Sequence, residues 1–348
     1  MSAIRDAIQS LVSQGAVDAA LLGAAFGEIM DGEATPATAA GLLVGLRMKG
    51  ETVDEIVAVA EALRARATTA SPADPRTIDT CGTGGSGVDT FNISTTSAFV
   101  VAGAGVSVAK HGNRAATSKS GSFDVLEALG VKIDLPIATY GHILADVGIA
   151  PFFARTAHPA FRHVAPVRAE LGVRTLLNCL GPLLSPVGAR YQVVGVYSAA
   201  LVEPLAEALG RLGAERALVV HGSDGMDELT TTGTSHAALV DDGKVESRVV
   251  DPAALGLARA NLEDLAGGTP DQNATTTGAI LDGETGPRRD IVLLNAAAAL
   301  WVVARAETLE EGLAIAAESI DSGAARAKLD ALAQATSRAG DSGGAATA

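Results

Sequence analysis

Apolar positions in the first 68 residues recur at helical spacing. Ile4, Ala7, Ile8 and Leu11 share one face, and residues 17–30 repeat the pattern until Asp31-Gly32 ends it. Thr35-Pro36 reads as a cap followed by a first-turn proline, predicting a helix to about Met48, before Gly50. Glu51-Thr52 opens another helix, through Arg66. Helices this short, apolar on one side, need partners, so residues 1–70 are expected to form a small bundle, joined by helices from about 158–180. Ser71-Pro72-Ala73-Asp74-Pro75 marks a linker. Beyond it short apolar runs alternate with helical ones. Strands are predicted at 106–109, 192–197, 216–221 and 237–240, and helices at 123–129 and 139–147. This alternation predicts an α/β domain over 71–340, a central sheet flanked by helices. Asp290 is expected to cap a final apolar helix over 291–303, and residues 341–348 to be a frayed tail.

Composition sharpens this picture. The 348 residues suffice for two domains, and 48% hydrophobic residues with only 3% aromatic and 39 glycines point to close helix packing and tight turns. No apolar run has the length of a membrane span, and the first ten residues lack the pattern of a signal peptide. Two cysteines, Cys81 and Cys179, are too few for a disulfide framework, so the expected compartment is the reducing cytoplasm. A net charge of -14 argues against nucleic acid as a partner.

Against that acidic background one stretch reverses sign. Residues 90–123 contain no carboxylate but hold Lys110, His111, Arg114 and Lys119. They follow the run Cys81-Gly82-Thr83-Gly84-Gly85-Ser86-Gly87. Glycines let successive amides turn toward one point and let backbone approach a ligand closely. Asn92 or Ser94 is placed to cap a helix to about Val101, whose free N–H groups also favour an anion, and Thr90, Ser94 and Thr95 add hydroxyls. A phosphate-rich ligand fits this chemistry. The spacing of Gly82, Gly84 and Gly87 satisfies a dinucleotide-binding fingerprint literally, but Val106, Ser107 and Val108 stand where that motif wants an acidic residue. A P-loop needs Lys and Ser or Thr where this chain has Val88-Asp89.

A second region poor in carboxylates spans 148–202, where Glu170 is the sole one beside Arg155, Arg162, Arg168, Arg174 and Arg190. Any of these arginines could grip a carboxylate through its bidentate fork, or simply be solvated. The acidic counterpart is His221-Gly222-Ser223-Asp224-Gly225-Met226-Asp227-Glu228, delivered by an apolar strand to the end of the sheet. In a loop, Asp227 and Glu228 can hold one or two Mg²⁺ ions that bridge to substrate phosphates.

Taken together, Gly82-Thr83-Gly84-Gly85, Asn92-Ile93-Ser94-Thr95, Lys110-His111-Gly112-Asn113-Arg114, Val164-Ala165-Pro166-Val167-Arg168, Asn178-Cys179-Leu180-Gly181-Pro182 and Met226-Asp227-Glu228 resemble the anthranilate phosphoribosyltransferase family, in order and over nearly the whole chain. The resemblance implies transfer of a phosphoribosyl group from phosphoribosyl pyrophosphate (PRPP) to anthranilate in tryptophan biosynthesis. It implies a helical domain followed by an α/β phosphoribosyl-binding domain, and a homodimer joined through the helical domains. By the same likeness PRPP would meet Gly82, Gly85, Ser86, Thr90, Asn92, Ile93, Ser94, Thr95, Lys110, His111, Gly112, Asn113, Arg114, Ala115, Ala116, Thr117, Ser118 and Ser122, with the stretch from Lys110 to Ser118 folding over it as a loop. Anthranilate would meet Gly82, Asn113 and Arg168. Ser94, Asp227 and Glu228 would hold Mg²⁺, two ions per subunit. Lys110 and Arg168 would serve catalysis electrostatically and by orientation, with no committed general base.

Two positions depart from the family pattern, Ser86 where an Asp is usual and Ser185 where an Asn is. The first is expected to alter metal handling. Two other readings use the same residues: a pyrimidine nucleoside phosphorylase-like enzyme, and a PRPP-binding regulator without catalysis.

Overall fold

The computed structural model describes residues 2–72, 74–115 and 119–345, the last four by backbone alone. Four helices come first, α1 (Ala3–Gln14), α2 (Ala19–Met30), α3 (Pro36–Lys49) and α4 (Val53–Arg64). Their starts are encoded locally. Asp18 accepts the N–H groups of Ala20 and Leu21, Thr35 accepts that of Thr38, and Thr52 and Glu55 cap each other's backbone. Leu22, Phe26 and Ile29 of α2 are buried in one core with Ile56, Val59 and Leu63 of α4. Val164, Val167, Leu176, Leu177 and Leu183 enter the same core, so a stretch from the middle of the chain closes the bundle.

Then follow β1 (Ile78–Gly82), α5 (Ile93–Gly103), β2 (Val108–Gly112), α6 (Ser122–Ala128), α7 (Ile137–Val147), β3 (Ile149–Phe153), α8 (Ala154–Ala157) and α9 (Ala165–Leu171). The chain continues through β4 (Tyr191–Gly195), α10 (Val202–Arg211), β5 (Arg216–Gly222), β6 (Ser235–Asp241) and β7 (Lys244–Val250). It ends in α11 (Pro270–Leu281), α12 (Pro287–Val302), α13 (Leu309–Asp321) and α14 (Ala324–Ala345).

Among the described residues the strands form one sheet in the order β3-β2-β1-β4-β5-β6-β7. The first five are parallel and the last two antiparallel. Side chains alternate across it. Ile78, Val193, Leu218 and Val220 pack with α5, α12 and α14, whereas Cys81, Val194 and Val219 pack with α10 and the helical bundle. The crossover from β3 to β4 passes over β1, leaving a switch point between β1 and β4, the place where open α/β sheets seat ligands.

Several expectations need correction. Lys110, His111 and Gly112 belong to β2 and not to a loop. The helix expected at 291–303 starts at Pro287, with Gly286 at the cap and Asp290 inside the first turn, and it is not the last, since α13 and α14 follow. Of the expected tail, residues 341–345 belong to α14, with Asp341 accepting from Lys132 Nζ at 3.2 Å, and residues 346–348 lie outside the described residues. The edge strand β7 had no sequence signal, because six of its seven residues are exposed and the period-2 contrast is missing.

Candidate active site at the switch point

Gly82 and Gly195 are paired at the C-terminal ends of β1 and β4. The turn after β5 lays the Asp227 backbone directly over them. A Cβ on Gly195 would stand 1.6 Å from the Asp227 carbonyl oxygen, and one on Gly82 would stand 2.5 Å from its carboxylate. At Gly195 only glycine fits, because the clash is with backbone, whereas at Gly82 it is the tip of the Asp227 side chain that would have to move. Asp224 braces this acidic turn, accepting the Thr230 and Thr232 hydroxyls at 2.5 and 2.6 Å, and Asn295 of α12 bonds both backbone groups of Leu229.

Across the turn the glycine run leaves β1. Gly84 and Gly85 both take positive φ, 68° and 72°, which glycine adopts without steric cost. The Gly84 N–H donates to Asp227 Oδ2 at 2.8 Å. The amides of Gly85, Ser86 and Gly87 have no protein acceptor among the described residues. Successive free amides on a left-handed turn make an anion-binding concavity.

The neighbouring wall comes from β2 and α5. Lys110 is buried, its Nζ donating to the Thr80 carbonyl at 2.7 Å and to Ser94 Oγ at 3.4 Å. Burial pulls its ammonium below the usual lysine range, against the opposing pull of Asp79 and Glu228. Asn92 sits at the N-terminus of α5 but does not cap it, since its side chain bonds Ser120 and Asn273. Glu228 instead accepts the Ser94 N–H at 3.2 Å. Burial and the adjacent Asp227 push the Glu228 carboxyl up to about 8, an environment short of positive charge.

Beneath this wall lies Asp79, fully buried, which accepts the His111 N–H at 3.0 Å and leaves its second oxygen unpartnered. Burial raises it to about 7. The same burial, with His158 nearby, lowers the His111 imidazole to about 3, so it is neutral at physiological pH and a weak base. The His111 and His158 rings meet edge to face at 5.3 Å, which brings the 158–163 segment to the end of β2.

Of the remaining residues expected at PRPP, Ile93 and Thr95 are buried in α5. Thr90 is bridged to Ala266, and Ser122 donates to the Asn113 carbonyl at 3.2 Å. The Arg114 guanidinium pairs with Asp124 and Glu127 at 3.0 and 2.9 Å. Asp124 also accepts the N–H groups of Ala115 and Gly121, joining the two ends of the stretch between them. Ala116, Thr117 and Ser118 lie outside the described residues. Arg168 on α9 is partly buried, which lowers its pKa, and has no hydrogen-bond or ionic partner among the described residues. A semi-desolvated, unpaired guanidinium is suited to a carboxylate brought by a ligand.

Sequence reasoning missed Asp79, Asp124, Asn273 and Asn295. Asp79, Asn273 and Asn295 act through partners distant in sequence, whereas Asp124 bonds the Gly121 and Ala115 amides three and nine residues back. Tyr197 was missed as well, and Arg174 was named only among the arginines that could grip a carboxylate. Arg174 donates to the Gly85 carbonyl and lies over the Tyr197 ring, 4.3 Å from its centroid.

Known proteins share this arrangement. Residues 74–326 match the family model described as the glycosyl transferase family a/b domain, and residues 5–67 match the helical bundle domain of the same family. The chain is 55% identical over 304 residues to the anthranilate phosphoribosyltransferase of Moorella thermoacetica, covering 87% of this chain and 90% of that protein. The crystal structure of anthranilate phosphoribosyltransferase from Thermus thermophilus superposes with a TM-score of 0.90 at 44% identity, over 97% of this chain and 99% of that one. The Saccharomyces cerevisiae enzyme in complex with PRPP and Mg gives 0.89 at 26% identity, over 96% and 98%. Helical bundle and α/β domain are therefore shared along almost the full length, at an identity too high for fold likeness alone, and the chain belongs to the anthranilate phosphoribosyltransferase family.

Proposed function

We propose that this enzyme transfers the 5-phosphoribosyl group of PRPP to the amine of anthranilate, releasing pyrophosphate and N-(5-phosphoribosyl)anthranilate, in tryptophan biosynthesis. The observation that carries the reading is the convergence, at the switch point, of the free amides of Gly85, Ser86 and Gly87 with Lys110 and the Asp227-Glu228 pair. Breaking the bond from ribose C1 to pyrophosphate builds negative charge on the departing oxygens. Fixed amide dipoles and the buried Lys110 face that charge without reorganising. The anthranilate amine attacks C1 with a free lone pair, so orientation suffices and no strong base is needed. Arg168 orients it by gripping the carboxylate. The neutral His111 lines the site without acting as a base.

Ser94, Asp227 and Glu228 fit Mg²⁺, since Glu228 sits in an acidic, partly desolvated setting that a cation would balance. When bound, Mg²⁺ neutralises diphosphate charge. Two ions per subunit are proposed, as are cytoplasmic location and a homodimer through the helical domain. Buried free thiols at Cys81 and Cys179 support a reducing compartment, and the exposed Val12 and Met48 on α1 and α3 support the dimer face. No helix among the described residues is long and apolar enough to cross a membrane. The domain limits, 1–70 with 158–180 and 71–340, are proposed, with support from the two family-model matches at 5–67 and 74–326 and from the packing of Val164, Val167, Leu176 and Leu177 into the bundle core.

The test follows loss of anthranilate fluorescence with PRPP and Mg²⁺. Wild type turns over, and Arg168→Ala raises the anthranilate KM by about a hundredfold with a smaller effect on PRPP. PRPP binding without turnover would overturn this in favour of a regulator.

A further inference from the structure

Arg174 lies in the short stretch between α9, which carries Arg168, and the turn at Leu176–Asn178. Its guanidinium is exposed, yet no carboxylate pairs with it among the described residues. One N–H group goes to the Gly85 carbonyl, and the flat face of the group rests on Tyr197 at 4.3 Å from the ring centroid. Tyr197 is fixed in turn, because its backbone N–H donates to Thr83 Oγ1 at 3.0 Å. Arginine, ring and glycine run thus form a closed circuit: Thr83 holds Tyr197, Tyr197 holds Arg174, and Arg174 holds Gly85.

The consequence follows from peptide geometry. A trans peptide is planar and carries its C=O and N–H on opposite sides, and the described residues contain no cis peptide. With the Gly85 carbonyl turned to Arg174, the Ser86 N–H must point away from it, on the side left without a protein acceptor. Gly85 has φ 72° and no side chain to resist rotation, so without an external hold this peptide can flip and present a carbonyl to an incoming anion.

We infer that Arg174, seated on Tyr197, is a positioning residue that locks the Gly85–Ser86 peptide with its N–H toward the diphosphate of PRPP. The inference rests on the proposed reaction for the identity of the anion but not for the existence of the lock. A lysine at the same place reaches the carbonyl but lacks the planar face that stacks on the ring. The lock also joins the α9 segment to the glycine run, which places the hold on the diphosphate turn beside the arginine proposed for the second substrate.

The test uses the full chain and two probes. Calorimetry with inorganic pyrophosphate and Mg²⁺ reports the lock without turnover, and steady-state kinetics separates the two KM values. Arg174→Ala weakens pyrophosphate binding and raises the PRPP KM by about tenfold, with the anthranilate KM within about twofold. Tyr197→Ala gives part of the same effect and Tyr197→Phe little, because the ring face and not the hydroxyl is used. Added guanidinium restores part of the Arg174→Ala loss, which a merely structural role would not allow, and Arg174→Lys recovers less than arginine. Unchanged pyrophosphate affinity in Arg174→Ala overturns the inference, and so does a change confined to the anthranilate KM. If wild type bound pyrophosphate without turnover and Arg174→Ala bound it tenfold more weakly, the lock would stand and the proposed reaction would fall.

Discussion

At the scale of single residues the site works by placing groups where ordinary side chains would not go. Gly82 and Gly195 are present because Asp227 occupies the space of their absent side chains. Asp79 is a fully buried carboxyl under the wall made by β2 and α5, facing Lys110, Cys81 and His111. Its pKa rises from 3.8 to about 7 on folding because burial disfavours the anion. Between those values the folded protein binds more protons at this group than the unfolded chain does, so its contribution to stability is full at low pH and is lost as pH rises through about 7. Asp79→Asn keeps the acceptor for the His111 N–H and removes the titration. Relative to wild type the variant therefore gains Tm as pH is raised from about 4 to about 8. A Tm difference that stays constant over that range would refute this account of Asp79.

At the scale of elements, legibility tracked whether the signal was local. The four N-terminal helices could be read because Asp18, Thr35-Pro36 and Thr52 with Glu55 write their starts within a few residues. The glycine run and the Asp227-Glu228 pair were legible for the same reason. What sequence could not show is the pairing that makes them one site, since β1, which runs into the glycine run at Gly82, was not predicted as a strand and the switch point exists only once β4 lies beside it. Asn92 holds the N-cap position of α5 as expected, but the carboxylate that accepts the Ser94 N–H there, Glu228, arrives from 134 residues away. Asp124 works at shorter range. At the start of α6 it accepts from Ala115 at 2.8 Å and Gly121 at 2.9 Å, and burial, which would raise its pKa, is outweighed by these amides and Arg114. Asp124→Ala leaves both amides without their acceptor. Their hydrogen exchange should quicken and the PRPP KM rise by about tenfold, with melting nearly unchanged. Slow exchange at Gly121 in the variant would show that the stretch is held by something else.

At the scale of the whole molecule the question is what fixes the helical bundle against the sheet, because Arg168 and the glycine run reach one cleft only if the two units keep their relation. Part of the answer is apolar, since Val194, Val219 and Ala217 of the sheet share a core with Leu63 and Leu183. The directional part is Arg64 at the end of α4, which donates to the Leu183 carbonyl at 2.6 Å and the Leu212 carbonyl at 3.0 Å, the residues that precede β4 and β5. Burial lowers its pKa, yet both donors are matched, so the charge is tolerated. Arg66, two residues on, makes a bidentate pair with Asp31 at the surface. These two arginines should behave differently. Arg64→Met strands two carbonyls and costs about 2–3 kcal/mol, a fall of about 5 °C in Tm, whereas Arg66→Met costs about 0–1 kcal/mol because water takes over its partner. Arg64→Met should also raise both the anthranilate KM and the PRPP KM, since Arg168 and Arg174, which holds the Gly85 carbonyl, are both carried by the segment that closes the bundle. Equal destabilisation by the two substitutions in scanning calorimetry would mean that the apolar core alone holds the two units together.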